Sequence, residues 1–190
     1  MEEIILLGGG GHCRAVIDVI EQEGKFSIVG VIDKKELLGK SVLGYKVIGC
    51  DDDLQVLSQK YKYAFITVGQ IRSNALRVKL FNSVKALGYI LPIIVSPFAY
   101  LSKHAEVAEG SVIMHHALVN ANAKVAQNCI INTKALIEHD ALIEEHSHIS
   151  TGVIINGGTV VKANSFVGSG ALTKEYIELN GFIKAGSVTK

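Results

Sequence analysis

A small parallel α/β domain followed by a parallel β-helix is the fold class that this sequence of 190 residues predicts. Three observations predict it. Strand-like and helix-like segments alternate up to the only prolines, Pro92 and Pro97. Beyond them an aliphatic residue recurs at every sixth position. Between the two patterns, proline restricts both its own φ and the residue before it, so regular structure breaks there. The expected domains are residues 1–96 and 97–190.

The first domain is read in chain order. IILL (4–7) is a buried strand and GGGG (8–11) the turn after it. HCRAVIDVIEQEG (12–24) places Ala15, Val16, Val19 and Ile20 at helical spacing. FSIVGVID (26–33) is a second strand. DDDLQVLSQKY (51–61) carries carboxylates in its first turn, as a helix N-terminus favours. YAFITVG (63–69) is a third strand, and SNALRVKLFNSVKALG (73–88) an amphipathic helix ending at glycine. Strands alternating with helices give a parallel sheet.

The second domain obeys a different period. Leu101, Val107, Ile113, Val119, Val125, Ile131, Ile137, Ile143, Ile149, Ile155, Val161 and Val167 follow one another at intervals of six. Two positions before each stands a small or β-branched residue, such as Ala105, Ser111, Ala117, Cys129, Ala141 or Thr159. Six matches neither the helical nor the strand period. It is the signature of a parallel β-helix whose coil closes on three hexads, here 18 residues. The expected array is four coils, with the large aliphatics inside. The residue before each aliphatic then faces outward, in three columns. Tyr100, Leu118, Leu136 and Ile154 form one; Val112, Ile130, His148 and Phe166 another; Glu106, Lys124, Leu142 and Val160 the third. Two columns are too apolar for a monomer's surface. A symmetric oligomer is expected to cover them, and three chains around an axis suit a triangular prism.

Composition excludes several classes. Apolar residues make up 48% and charged ones 19%, which supports a packed core, and the net charge is +1. With no basic stripe carrying interleaved aromatics, nucleic acid is not expected as a partner. MEEIILLGGGGH is acidic before its apolar run, the reverse of a secretory signal. No apolar stretch reaches about 18 residues, so no membrane span is expected. Cys13, Cys50 and Cys129 are odd in number and far apart, which suits reduced thiols in the cytoplasm.

The chemistry-bearing stretch is IEHDALIEEHSHIS (137–150). A metal site is one reading. Trimeric β-helix enzymes resembling γ-carbonic anhydrases hold zinc with histidines two coils apart plus one five residues later. Here His104 and His139 are 35 apart and His146 lies seven further on, so the register misses and no metal is expected. A solvated polar face is the plain reading for Glu138, Glu144 and Glu145. His139 stands out, because Asp140 follows it and Gly157 lies one coil, 18 residues, later. A carboxylate beside an imidazole fixes its tautomer and stabilises its charged form, as a general base needs. A glycine one coil away offers an unobstructed N–H to a developing oxyanion. His148 breaks an otherwise apolar column, and an interface histidine satisfied by a neighbour is its plain reading.

GGGGHCRAVIDVI, ITVGQIR and above all INTKALIEHDALIEEHSHISTGVIINGG resemble the PglD/NeuD family of sugar acetyltransferases, along the whole chain. The resemblance implies a Rossmann-like α/β domain for a nucleotide-sugar and a left-handed β-helix for acetyl-CoA. It makes His139 the catalytic base, assisted by Asp140 where the family commonly has glutamate. It assigns acetyl-CoA contacts to His148, Gly157 and Ser169, and nucleotide-sugar contacts to Gly10, Gly11, His12, Asp33 and Gly69. Lys34 stands where the family often has a second acid, and the chain ends AGSVTK where the family has AGxPAK. The full G-x-G-x-x-G fingerprint is absent, since the sixth position counted from Gly8 is Cys13. The implied reaction is direct acetyl transfer from acetyl-CoA to the amine of a nucleotide-linked amino-sugar, in a cytoplasmic homotrimer without a metal. O-acetylation of a sialic-acid-like sugar is the nearest rival. A non-catalytic trimer that binds sugar-nucleotides is another. With no long loop leaving the hexads, the α/β domain is expected to present the sugar, across a subunit boundary.

Overall fold

The computed structural model describes residues 1–189; Lys190, the last residue of the AGSVTK tail, lies outside the described residues. The chain forms two compact units, Met1–Gly69 with Ala75–Pro92, and Gln70–Asn74 with everything from Ile93 onward. Residues 93–96, read from sequence as part of the first domain, therefore pack with the second, and so does the short segment 70–74.

In the first unit, β1 (Glu2–Leu7), α1 (Gly11–Glu23), β2 (Phe26–Ile32), β3 (Ser41–Val42), β4 (Tyr45–Gly49), α2 (Leu54–Leu57), β5 (Tyr63–Ile66) and α3 (Ala75–Ala86) follow one another. The sheet order is β3-β4-β2-β1-β5. β2, β1 and β5 are the three strands read from sequence, and they are parallel. β4 joins parallel to β2, and β3 pairs antiparallel with β4 through a turn at Leu43 and Gly44, both at positive φ. That hairpin was not legible, because Ser41–Val42 is too short to show alternation. The helix expected over 51–61 shrinks to a 3-10 turn at Asp51–Asp53 and four residues of α2. The core joins Ile5, Leu7, Ile32, Ile66, Leu80, Phe81 and Val84. Arg77 of α3 is 1% exposed and donates from Nη1 to the Ile66 and Val68 carbonyls, at 2.7 and 2.9 Å. Those bonds hold the end of β5 in place.

In the second unit, two-residue strands stack in three parallel sheets of six, five and six. Strand registers reproduce the outward columns read from sequence: Leu118 pairs Tyr100 and Leu136, Ile130 pairs Val112 and His148, and Lys124 pairs Glu106 and Leu142. The large aliphatics and the small residues before them form one buried core. The array is longer than the four coils expected. Strands begin at Ile94–Val95 and continue to Val188–Thr189. Thr173 ended the aliphatic run, and a four-residue step from Leu179 to Ile183 broke the period, so the sequence pattern stopped early. Replacing Ile131, which is fully buried, with alanine is expected to destabilise this unit by about 2–5 kcal/mol. Denaturant unfolding followed by circular dichroism measures it.

From 110 to 176 each corner has a second residue at positive φ, at every sixth position. Most are Gly, Asn, Asp or His, the types that enter this region at lowest cost. One apolar column differs from expectation. Val112 and Ile130 are fully buried and His148 is 6% exposed in the single chain, with Gln70 lying over His148. The other apolar column keeps exposed members, with Tyr100 at 58% and Ile154 at 36%.

Candidate active site

His139 and Asp140 form the two-residue corner after the strand Leu136–Ile137. Asp140 adopts φ 61°, a twist that turns its carboxylate back toward its neighbour. His139 Nδ1 lies 2.7 Å from Asp140 Oδ2. A carboxylate only accepts, so Nδ1 carries the proton and Nε2 keeps its lone pair. Asn122, one coil earlier, donates from Nδ2 to the other carboxylate oxygen, Oδ1, at 2.6 Å. The hydrogen bond to Asp140 holds the His139 pKa above the ordinary 6.5. Asn122, followed by His139, holds the Asp140 carboxyl below its ordinary range. Both side chains are about half exposed, at 54% and 49%.

Gly157 lies directly beneath the imidazole. A Cβ at this position would sit 2.7 Å from His139 Cε1 and 2.8 Å from Nε2, so only glycine admits the ring. At comparable corners the preceding side chain caps the open amide: Ala121 N–H donates to Asn120 Oδ1, and Thr133 N–H to Asn132 Oδ1, both at 2.8 Å. Asn156 breaks that habit and donates instead to the Thr173 carbonyl at 2.6 Å. The Gly157 N–H meets no acceptor among the described residues. A lone pair and an uncommitted amide therefore stand on one edge of the prism.

The other predicted residues sit apart from this pair. His148 Nδ1 donates to the Gln70 carbonyl at 2.6 Å, and its Nε2 accepts from Asn132 Nδ2 at 3.1 Å. Both ring nitrogens of His148 thus have protein partners. Ser169 is exposed and pairs with Ser150 at 2.9 Å, on the next edge of the prism. Two glutamates read as solvated do more. Glu138 accepts from Asn120 at 2.7 Å and from the His139 N–H at 3.2 Å. Glu144 pairs with Lys162 at 2.8 Å and accepts from the Ala163 N–H at 3.0 Å. Asn122, Asn132, Asn156 and Gln70 were missed in the sequence. An asparagine 18 residues before a key polar residue, as Asn122 stands to Asp140, was the signal that could have found the first.

In the first unit a cavity of about 410 Å³ opens at the carboxyl ends of β1, β2 and β5, with Gly8, Asp33, Lys34, Lys35 and Val68 in its wall. Ligands of open α/β sheets bind at such ends. Asp33 Oδ2 accepts from the Gly9 N–H at 2.6 Å and Oδ1 from the Lys34 N–H at 2.7 Å. The carboxylate thus fixes the loop, and Gly9, which sequence reading passed over, has no room for a Cβ beside it, since Asp33 Oδ2 would lie 2.9 Å away; Gly8 is closed likewise by Val68. Gly10 caps α1 without a side chain, and a Cβ on Gly10 or Gly11 would meet nothing. A Cβ on Gly69 would meet His12 Cβ at an ordinary contact distance, 3.4 Å. Gly10, Gly11, His12 and Gly69 are not in the wall of the cavity, whereas Asp33 and Lys34 are.

Comparison with known proteins decides the family. The model of the PglD N-terminal domain matches residues 3–84. The acetyltransferase domain of PglB from Neisseria gonorrhoeae is 30% identical, with 99% of this chain and 91% of that one covered at a TM-score of 0.91. The chain belongs to the PglD/NeuD family of sugar acetyltransferases. Its fold is a Rossmann-like α/β domain followed by a left-handed parallel β-helix of hexapeptide repeats. A second structure of the PglB domain, 28% identical, contains acetyl coenzyme A. PerB from Caulobacter crescentus, in complex with CoA and GDP-perosamine, is 27% identical over 99% of this chain and 88% of its own, at a TM-score of 0.91. No curated protein matches the chain at a significant level. Among the described residues no helix is long and apolar enough to cross a membrane, and no group of three His, Cys, Asp or Glu could hold a metal ion.

Proposed function

We propose that this family member transfers the acetyl group of acetyl-CoA to the amine of a nucleotide-linked amino-sugar, with His139 as general base. One observation carries the reading: the free Nε2 of His139, fixed by Asp140, lies over a glycine whose N–H is uncommitted. The amine attacks the thioester carbonyl while His139 Nε2 takes its proton. The Gly157 N–H donates to the carbonyl oxygen as that oxygen gains charge. The C–N bond forms, the C–S bond breaks, and the proton on His139 passes to the leaving thiolate. Asp140 stabilises the imidazolium throughout. Direct transfer is favoured because Cys13 and Cys129 are fully buried, and burial raises the Cys13 thiol pKa.

The first unit, with Asp33 and Lys34 in its cavity and open amides at Gly10 and Gly11, is assigned to the nucleotide-sugar. The prism is assigned to acetyl-CoA through Gly157, His148 and Ser169. PerB, a relative of the same fold, was solved with CoA and GDP-perosamine, which supports this pair of ligands. The exposed column from Tyr100 to Ile154 is assigned to a homotrimer contact, which light scattering measures. Release of CoA thiol over a panel of GDP-, UDP- and dTDP-amino-sugars, with free sialic acid beside them, tests the reaction. Thiol release with an amino nucleotide-sugar is expected. Release with sialic acid alone would move the reading to O-acetylation, and nucleotide binding without release would leave a non-catalytic trimer.

The base also sets the pH profile. A base works only when unprotonated, so a raised His139 pKa puts the acid limb of kcat/KM above 6.5. Asp140→Asn removes the main raising cause, and the limb is expected to move down. Asn122→Ala removes the donor that lowers Asp140. Asp140 then holds the imidazolium more tightly, so the limb is expected to move up, with kcat down roughly tenfold for a hydrogen bond to a charged group. pH–rate profiles of both variants check the opposite signs.

A further inference from the structure

On the reading above, the acceptor sugar still lacks a surface to rest on. Tyr176 occupies a positive-φ corner position, at φ 53°. The other members of its edge are Asn122, Asp140 and Gly158, all suited to this region, whereas a bulky aromatic is a genuine outlier there. Such outliers persist where the surrounding structure holds them and cluster at binding sites. Tyr176 is also 74% exposed, and its hydroxyl meets no acceptor among the described residues. Its backbone N–H donates to the Gly157 carbonyl at 3.0 Å. Its ring lies against Gly158, where a Cβ would collide with Cδ1 and Cε1. The His139 ring lies against Gly157 in the same way. The α-carbons of Gly157 and Gly158 are about 3.8 Å apart, so imidazole and phenol lie against neighbouring residues of one dipeptide, from the coils before and after it.

From this juxtaposition we infer that Tyr176 is the platform for the amino-sugar ring, a specificity-determining residue for the acceptor. The amine must come within about 2.6–3.2 Å of His139 Nε2 to surrender its proton. The pyranose that carries it is then within reach of the phenol face, against which its C–H face packs. The coenzyme makes a weaker occupant. Its carbonyl is directed to the Gly157 N–H, and its other assigned contacts, His148 on a strand and Ser169 at a different edge, lie away from Tyr176.

The inference rests on the acetyl-transfer reading, and one experiment separates the two. Tyr176→Asn and Tyr176→Phe are assayed by thiol release while the amino-sugar and acetyl-CoA are varied in turn. Asparagine suits the left-handed region, so the melting temperature of Tyr176→Asn is expected to hold or rise. Its KM for the amino-sugar is expected to increase about tenfold, the scale of one aromatic face, with KM for acetyl-CoA unchanged. Phenylalanine keeps the face and is expected to stay near wild type. An unchanged acceptor KM in an active enzyme overturns the platform alone. So does an equal rise for acetyl-CoA, or dissociation of the oligomer, which would place Tyr176 in a coenzyme or subunit contact. A wild type that transfers to no amino-sugar overturns both readings.

Discussion

Replacing His139 with alanine is expected to lower kcat about 10²–10⁴-fold, the range of a positioned general base. The loss should fall on kcat rather than on either KM, because the imidazole takes a proton only as the amine attacks. Stability should be untouched. The side chain is 54% exposed, and the hydrogen bond it loses joins it to its sequence neighbour Asp140. Asp140 keeps Asn122 as a partner in the variant. Near-normal turnover over the full pH range would remove His139 from the mechanism. The residual rate should lose its acid limb as well, since the group that titrates there is gone.

Gly157→Ala is expected to be nearly as damaging, by a separate route. Gly157 is not among the glycines at positive φ, so its backbone accepts alanine. The obstacle is the imidazole: the new methyl group would stand 2.7 Å from Cε1 and 2.8 Å from Nε2. Those distances are too short, so the ring must swing off the amide. Base and oxyanion donor then lose their mutual geometry. Loss of one oxyanion donor alone costs about 10²–10³ in kcat. Because the two groups serve one step, the double variant with His139→Ala should be little worse than the poorer single variant. Multiplicative losses in that cycle would show that Gly157 acts elsewhere. The melting temperature should change little, which separates a displaced ring from a broken coil.

Much of the prism was legible because its period is covalent arithmetic. A side chain that must fill a triangular core every third of a coil recurs every six residues whatever the rest of the sequence does. Ile113 to Val167 therefore declared the sheets, their register and the outward columns. The pattern lost its voice only at Thr173 and at the shortened step to Ile183, where packing tolerates what periodicity does not reveal. The hairpin of β3 and β4 stayed hidden because two residues carry no period at all.

His139, Asp140 and Gly157 were readable for the same reason, since a spacing of 18 in sequence is a neighbour in space. The sequence by itself thus determined the coil, the edge and the identity of the groups that share it. It did not determine which hydrogen bonds those groups make. Only the tertiary structure decided that Asn122 holds the far oxygen of Asp140, that Asn156 turns away and leaves the Gly157 amide open, and that Gln70 lies over His148. The physical reason is that spacing fixes where a backbone passes, whereas a polar side chain chooses among several partners within one rotamer's reach. That choice is settled by the three-dimensional competition for donors and acceptors, which no linear pattern records.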